Sequence, residues 1–199
     1  SREERPQIFI DNELFILPVK NGEYIICKGD GYVDIPPIYD KAMDYTSKLD
    51  FELKSAQIGD SEMQHLDYAY ASSLIRSFLQ DDSLVLSIRG RKYTPKFEFS
   101  TNLYKNISVV SVQTEVDSGF EGRSKIVLVE AKNSHTTNVI IRQLYYPMRQ
   151  WQIHTQKEVV TLFFEKRGTE FLLWEFGFKN ILDYNSIFLK QSAKFKILN

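Results

Sequence analysis

The sequence predicts a mixed α+β fold, a mixed β-sheet flanked by helices. Three observations predict it. Short apolar runs such as Ile126-Val127-Leu128-Val129 recur between turn formers, the mark of strands. Segment 61–79 places Leu66, Tyr70, Leu74 and Phe78 at helical spacing between polar residues. After residue 60 the order reads helix, several strands, helix, strand, which is that of a sheet with helices laid on it.

A chain of 199 residues with 43% hydrophobic content buries one sizeable core. The expected organisation is a β-rich segment, 1–60, packed on a core of residues 61–199 as one compact domain. The 25 basic and 26 acidic residues nearly cancel, so no overall field argues for a polyanion, although a local patch remains possible. Cys27 is the only cysteine, which excludes an internal disulfide and a multi-cysteine zinc site and fits a reducing, intracellular compartment. No apolar run of 18 residues and no charged-then-apolar leader is present, so no membrane span or secretory signal is expected.

From the N-terminus, Ile8-Phe9-Ile10, residues 14–17 and residues 24–27 read as a β-meander, with Asn21-Gly22 as its strongest hairpin cue. Residues 38–60 look irregular. Asp60 or Ser61 caps the helix over 61–79. Residues 83–90 and 94–100 are expected strands flanking the basic Arg89-Gly90-Arg91-Lys92. Residues 107–121 and 125–132 are two more, around Gly122-Arg123-Ser124. A helix is expected over 136–151, with Pro147 kinking it or ending it early. Residues 159–164 and 171–176 flank Arg167-Gly168-Thr169 as a late hairpin, and Lys190, Lys194 and Lys196 belong to a solvated tail.

The stretch Leu128-Val129-Glu130-Ala131-Lys132 raises a chemical question, because opposite charges end a segment that otherwise reads as buried. Alternation puts Glu130 and Lys132 on one face and Ala131 in the opposite, packed one. A two- or four-residue loop centred on Gly122-Arg123 sets Glu115 opposite Glu130, Asp117 opposite Leu128 and Gln113 opposite Lys132, so that Glu115, Asp117, Glu130 and Lys132 share a face. A three-residue loop would reverse that parity unless a bulge restored it. Crowded carboxylates repel unless a cation binds between them, and Mg2+ prefers one or two carboxylates together with waters and phosphate oxygens. A nearby ammonium positions water or neutralises charge at phosphorus. The pattern acid-x-Lys is weak by itself, since Glu52-Leu53-Lys54 also satisfies it. The bland alternative is a solvated strand end with a cross-strand ion pair.

Asp117-Ser118-Gly119-Phe120-Glu121, the strand ending in Glu130-Ala131-Lys132, and the helix carrying Gln143 and Tyr146 together resemble the PD-(D/E)xK, restriction-endonuclease-like, nuclease superfamily over roughly residues 61–165. The resemblance implies a restriction-endonuclease-like core, with Asp117, Glu130 and Lys132 as catalytic residues, Asp117 and Glu130 as ligands of Mg2+ or Mn2+, and Lys132 serving the hydrolytic water. Val116 stands where the name-giving motif has proline, which leaves Glu115 as a rival first acid and metal ligand. On the following helix, Arg142, Gln143, Tyr146 and Arg149 fall on one broad face opposite Ile140, Leu144 and Trp151. Arg142, Gln143 and Arg149, with Arg89, Arg91, Lys92 and Lys96, are the expected DNA contacts. His65, His135 and His154 are too scattered for a zinc site, and the aromatic residues read as core.

The resemblance implies a Mg2+-dependent DNA endonuclease, most concretely a type II restriction enzyme cutting double-stranded DNA as a homodimer, cytoplasmic and prokaryotic, with no membrane partner. The alternatives are a repair or modification-dependent nuclease of the same fold, and a non-catalytic nucleic-acid or protein binding module in which the Glu-Lys pair is incidental.

Overall fold

A computed structural model describes residues 1–198. The Pro6 carbonyl accepts from the Phe9 and Ile10 amides at 2.8 and 3.2 Å, so Ile8-Phe9-Ile10 lies in a short helix, α1 (Gln7–Asp11), instead of the expected first strand. β1 (Leu14–Lys20) and β2 (Glu23–Lys28) form the hairpin that Asn21-Gly22 predicts. Gly22 takes the left-handed φ of 80° that its turn requires. β3 (Tyr32–Asp34) and β4 (Met43–Thr46) follow, so the stretch expected to be irregular contains a strand.

Ser61 caps α2 (Glu62–Ala71) by accepting from the Gln64 amide at 3.1 Å. The single helix expected over 61–79 is broken. The Ser72 carbonyl accepts from the Lys48 amide and the Tyr45 hydroxyl, Ser73 turns to φ 69°, and α3 (Leu74–Leu79) begins afresh.

Next come β5 (Val85–Tyr93), β6 (Phe97–Phe99), β7 (Ile107–Val109), β8 (Gln113–Glu121), β9 (Lys125–Lys132) and β10 (Asn138–Ile140). The basic Arg89-Gly90-Arg91-Lys92 lies inside β5 and not at a hairpin tip, because β5 stays paired to β8 as far as Tyr93↔Gln113. Residues 138–140 pair with β3, which delays the second long helix, α4 (Arg142–Gln152). α4 runs on past Pro147. Its missing amide hydrogen is outweighed by the packing of Leu144, Tyr145, Tyr146 and Met148, all buried. β11 (Glu158–Arg167) and β12 (Glu170–Phe178) form the expected late hairpin. The supposed lysine tail is a strand, β13 (Ile187–Leu198), along β12.

The main sheet runs β4-β13-β12-β11-β9-β8-β5, with β11 parallel to β9 and joined to it through α4. Of the first 60 residues, the β1–β2 hairpin lies over α4, whereas β4 joins the sheet edge. On one face α2 and α3 cover Val127, Val129 and Ala131 of β9. On the other, Ile126 and Leu128 pack with Ile88, Val116 and Trp151. β9 is therefore buried on both sides, which explains its unbroken apolar run. Among the described residues no helix is long and apolar enough to cross a membrane.

Gly119 lets β5 and β8 approach: a Cβ there would lie 2.6 Å from Ile88 Cβ, an atom too close to its own backbone to move aside. Gly119→Ala is expected to destabilise the fold by about 1–3 kcal/mol through overpacking, measured by denaturant unfolding. An unchanged midpoint would show that the two strands separate freely.

Candidate functional site

The pairing of β8 with β9 runs from Glu121↔Ile126 to Ser118↔Val129 and closes through Arg123-Ser124, where the Gly122 amide donates to the Lys125 carbonyl at 2.8 Å. That turn is centred one residue later than expected. The register is displaced accordingly, so Gly119, not Asp117, faces Leu128. On its other edge β8 is bulged: between Ile88↔Gly119 and Gly90↔Val116, β5 advances two residues and β8 three. The ladder to β9 ends at Ser118, and Asp117 reaches across the gap, its Oδ2 accepting from the Ala131 amide at 2.7 Å. A side-chain carboxylate takes the donor that a neighbouring strand's carbonyl would otherwise use.

Glu130, only 8% exposed, ends the buried part of β9. Its Oε1 accepts from Lys132 Nζ and from Gln143 Nε2, both at 2.6 Å. Lys132 also donates to the Ala131 carbonyl at 3.0 Å. Among the described residues, neither Glu130 Oε2 nor Asp117 Oδ1 accepts a hydrogen bond. Each carboxylate thus has one oxygen held and one open. Both line a polar cavity of about 330 Å³, together with Lys132, Arg142, Gln143 and Tyr146.

The other expected residues divide. Glu115 borders the cavity but is 55% exposed and paired with Arg91 at 3.3 Å, and among the described residues no three His, Cys, Asp or Glu side chains converge as a ligand set. The crowding of three carboxylates expected from the sequence is therefore reduced to two. Arg149 does not face the site. It is buried, donating to the Glu98 carbonyl, the Tyr145 hydroxyl and the Ile181 carbonyl. Arg89 pairs with Asp67, Lys96 lies 3.7 Å from Glu98, and Lys92 sits over the Trp151 ring.

Comparison with known families adds two matches. The model described as "Domain of unknown function (DUF6997)" covers residues 27–196, and "Domain of unknown function (DUF6996)" covers residues 1–26. The chain belongs to the DUF6997 family. No curated protein and no solved structure matches it.

In this DUF6997 chain the electrostatics centre on Glu130. Burial, reinforced by the charges of Asp117 and Glu62 and opposed by Lys132, pushes its carboxyl up to about 7. Burial alone would lower Lys132, but the charge and hydrogen bond of Glu130 raise it, so it is an ammonium. Glu62, in the first turn of α2, is a participant that sequence reasoning missed. It read as one more polar residue on a helix face, and only the packing of α2 over the sheet brings its charge near. Two open carboxylate oxygens beside a polar cavity suit a hard divalent cation that completes its shell with water and substrate oxygens, as Mg2+ and Mn2+ do.

The raised Glu130 carboxyl has a consequence for stability. Between its ordinary value of 4.5 and about 7, the folded chain binds more protons than the unfolded one, so stability falls as pH rises through that window. In EDTA, unfolding at pH 5 and pH 8 is expected to show a loss on the order of 2 kcal/mol from this group. Glu130→Gln should lack that component. Equal pH dependence in the two proteins would refute the assignment.

Proposed function

We propose that the chain is a Mg2+-dependent DNA endonuclease of the PD-(D/E)xK kind. The observation that carries this reading is the pair Asp117 and Glu130, each with one oxygen held by the protein and one open, with Lys132 bonded to Glu130 at the end of a strand buried on both faces. The order of elements supports it: α2 and α3, then the antiparallel strands β5, β8 and β9, then α4 and the parallel β11. The Asp117 bond across to β9 favours Asp117 over Glu115 as the first acid.

Asp117 Oδ1 and Glu130 Oε2 are the atoms that would hold a cation, and Gln143 fixes the Glu130 carboxylate in the required orientation. A divalent cation bound there supplies Lewis acidity at phosphorus and makes water more acidic. Lys132 has three ammonium hydrogens, of which two are engaged by Glu130 Oε1 and the Ala131 carbonyl. The third is free to donate into the cavity, to the attacking water or to a phosphate oxygen. Exposed Arg91 and Lys92, on the edge strand beside β8, would be the cations available to a DNA backbone that passed the site. In its finest form the reading is a type II restriction enzyme, a homodimer whose two sites cut the two strands of a symmetric duplex sequence.

Incubating mixed-sequence duplex DNA with the purified protein, in Mg2+ and in EDTA, tests the reading. Wild type is expected to give discrete fragments in Mg2+ only, and Lys132→Ala to lower the cleavage rate by at least about a hundredfold with the fold intact. Mg2+ is also expected to raise the Tm of wild type but not of Asp117→Asn. Cleavage in EDTA, or full activity in Lys132→Ala, overturns it.

A further inference from the structure

The cavity contains a cation that neither the fold nor the two carboxylates account for. Arg2, Arg5, Arg76, Arg89, Arg149 and Arg167 are all at least partly buried, and each guanidinium is bonded to a carboxylate or a carbonyl. Arg142 is also partly buried. Among the described residues its side chain makes no hydrogen bond or ion pair with the protein, and its Nε is shielded from solvent without a partner. The groups that feel its charge include the phenols of Tyr32, Tyr146 and Tyr184, all raised by burial and so neutral at physiological pH. A guanidinium whose Nε is shielded from water without a partner, and whose terminal nitrogens have no acceptor among the described residues, is better satisfied when an anion completes it.

The root of this side chain is fixed. The Arg142 amide donates to the Tyr184 hydroxyl at 2.9 Å, and that hydroxyl donates to the Gly31 carbonyl at 3.1 Å, with Tyr184 fully buried. Arg142 borders the same cavity as Asp117, Glu130 and Lys132. We infer that Arg142 is the anion anchor of this cavity and takes a phosphate group of the substrate. The planar guanidinium matches two phosphate oxygens through parallel N–H···O bonds, and the unused donors become paired only when the substrate is in place. The inference builds on the nuclease reading by naming a phosphate subsite beside the two acids, yet phosphate binding is measurable without cleavage.

The probe is inorganic phosphate, titrated against the full chain in EDTA and in Mg2+ and read as a shift in Tm, with wild type, Arg142→Gln and Arg142→Lys compared. Wild type is expected to be stabilised by phosphate, Arg142→Gln not at all, and Arg142→Lys in part, because lysine keeps the charge but loses the fork. Arg142→Gln without ligand should unfold close to wild type, since the side chain gives up no hydrogen bond or ion pair with the protein; if loss of its packed stem lowers the Tm, Arg142→Lys carries the comparison. In a second arm, binding of labelled duplex at low salt should weaken at least tenfold in Arg142→Gln, with the salt slope reduced by about one. Equal weakening with and without a 5′-phosphate assigns a backbone phosphate, and weakening confined to the phosphorylated strand assigns a terminal one. Wild type that ignores phosphate, or Arg142→Gln that binds phosphate and duplex like wild type, overturns the inference. Phosphate binding that depends on Arg142, with no DNA cleaved, would leave the subsite standing and remove the nuclease reading.

Discussion

A carboxylate at the end of a strand covered on both faces must find its hydrogen-bond donors within the protein, and the placing of Glu130 makes that demand. The donors come from two directions, Lys132 from the same strand and Gln143 from α4 in the layer above. Because both bonds end on one oxygen, α4 is held in register with β9, and the helix in turn fixes what surrounds it. Tyr146 donates to the Pro18 carbonyl of β1, Thr114 of β8 donates to Gln150, and Arg149 reaches the loop beyond β12. The layer over this face of the sheet is thus tied together through one helix, and that helix is tied to the buried acid.

What the sequence revealed and what it concealed follow the reach of the interactions. The apolar run of β9, the Asn-Gly hairpin, the Ser61 cap and the β11–β12 hairpin are decided by residues close in the chain, and all were legible. The break at Ser72 was not, because the donors that capture its carbonyl come from Lys48 and Tyr45. Arg149 read as a surface cation for a similar reason: its acceptors lie at Glu98 and Ile181, far off in sequence. Within the site, the residue types Asp117, Glu130 and Lys132 and their grouping were visible, but their pairing was not. The β8–β9 turn is centred on Arg123-Ser124, one residue later than its residues suggest, and the bulge that β8 makes against β5 falls where its pairing with β9 ends; alternation alone predicts neither.

The gap between β8 and β9 is better regarded as part of the site than as a defect in the sheet. Had the ladder continued past Ser118, the Ala131 amide would have met a carbonyl, and Asp117 would have had no reason to lie across the strand ends. The bulge, the end of pairing and the close packing of Gly119 on Ile88 all fall within a few residues of one another. Together they exchange a little sheet regularity for a carboxylate fixed by the backbone.

The β1–β2 hairpin carries a further meaning. The two family matches meet between Ile26 and Cys27, yet those residues are neighbours within β2, paired to Ile16 and Phe15 of β1. The border between the two matches thus runs through the middle of a strand. A DUF6997 segment cut at that border would keep Cys27 and lose Phe15 and Leu17, two side chains that fill the aromatic cluster above α4. The two matched segments are therefore not separable as folding units here: the border divides a hairpin whose side chains complete the packing above α4.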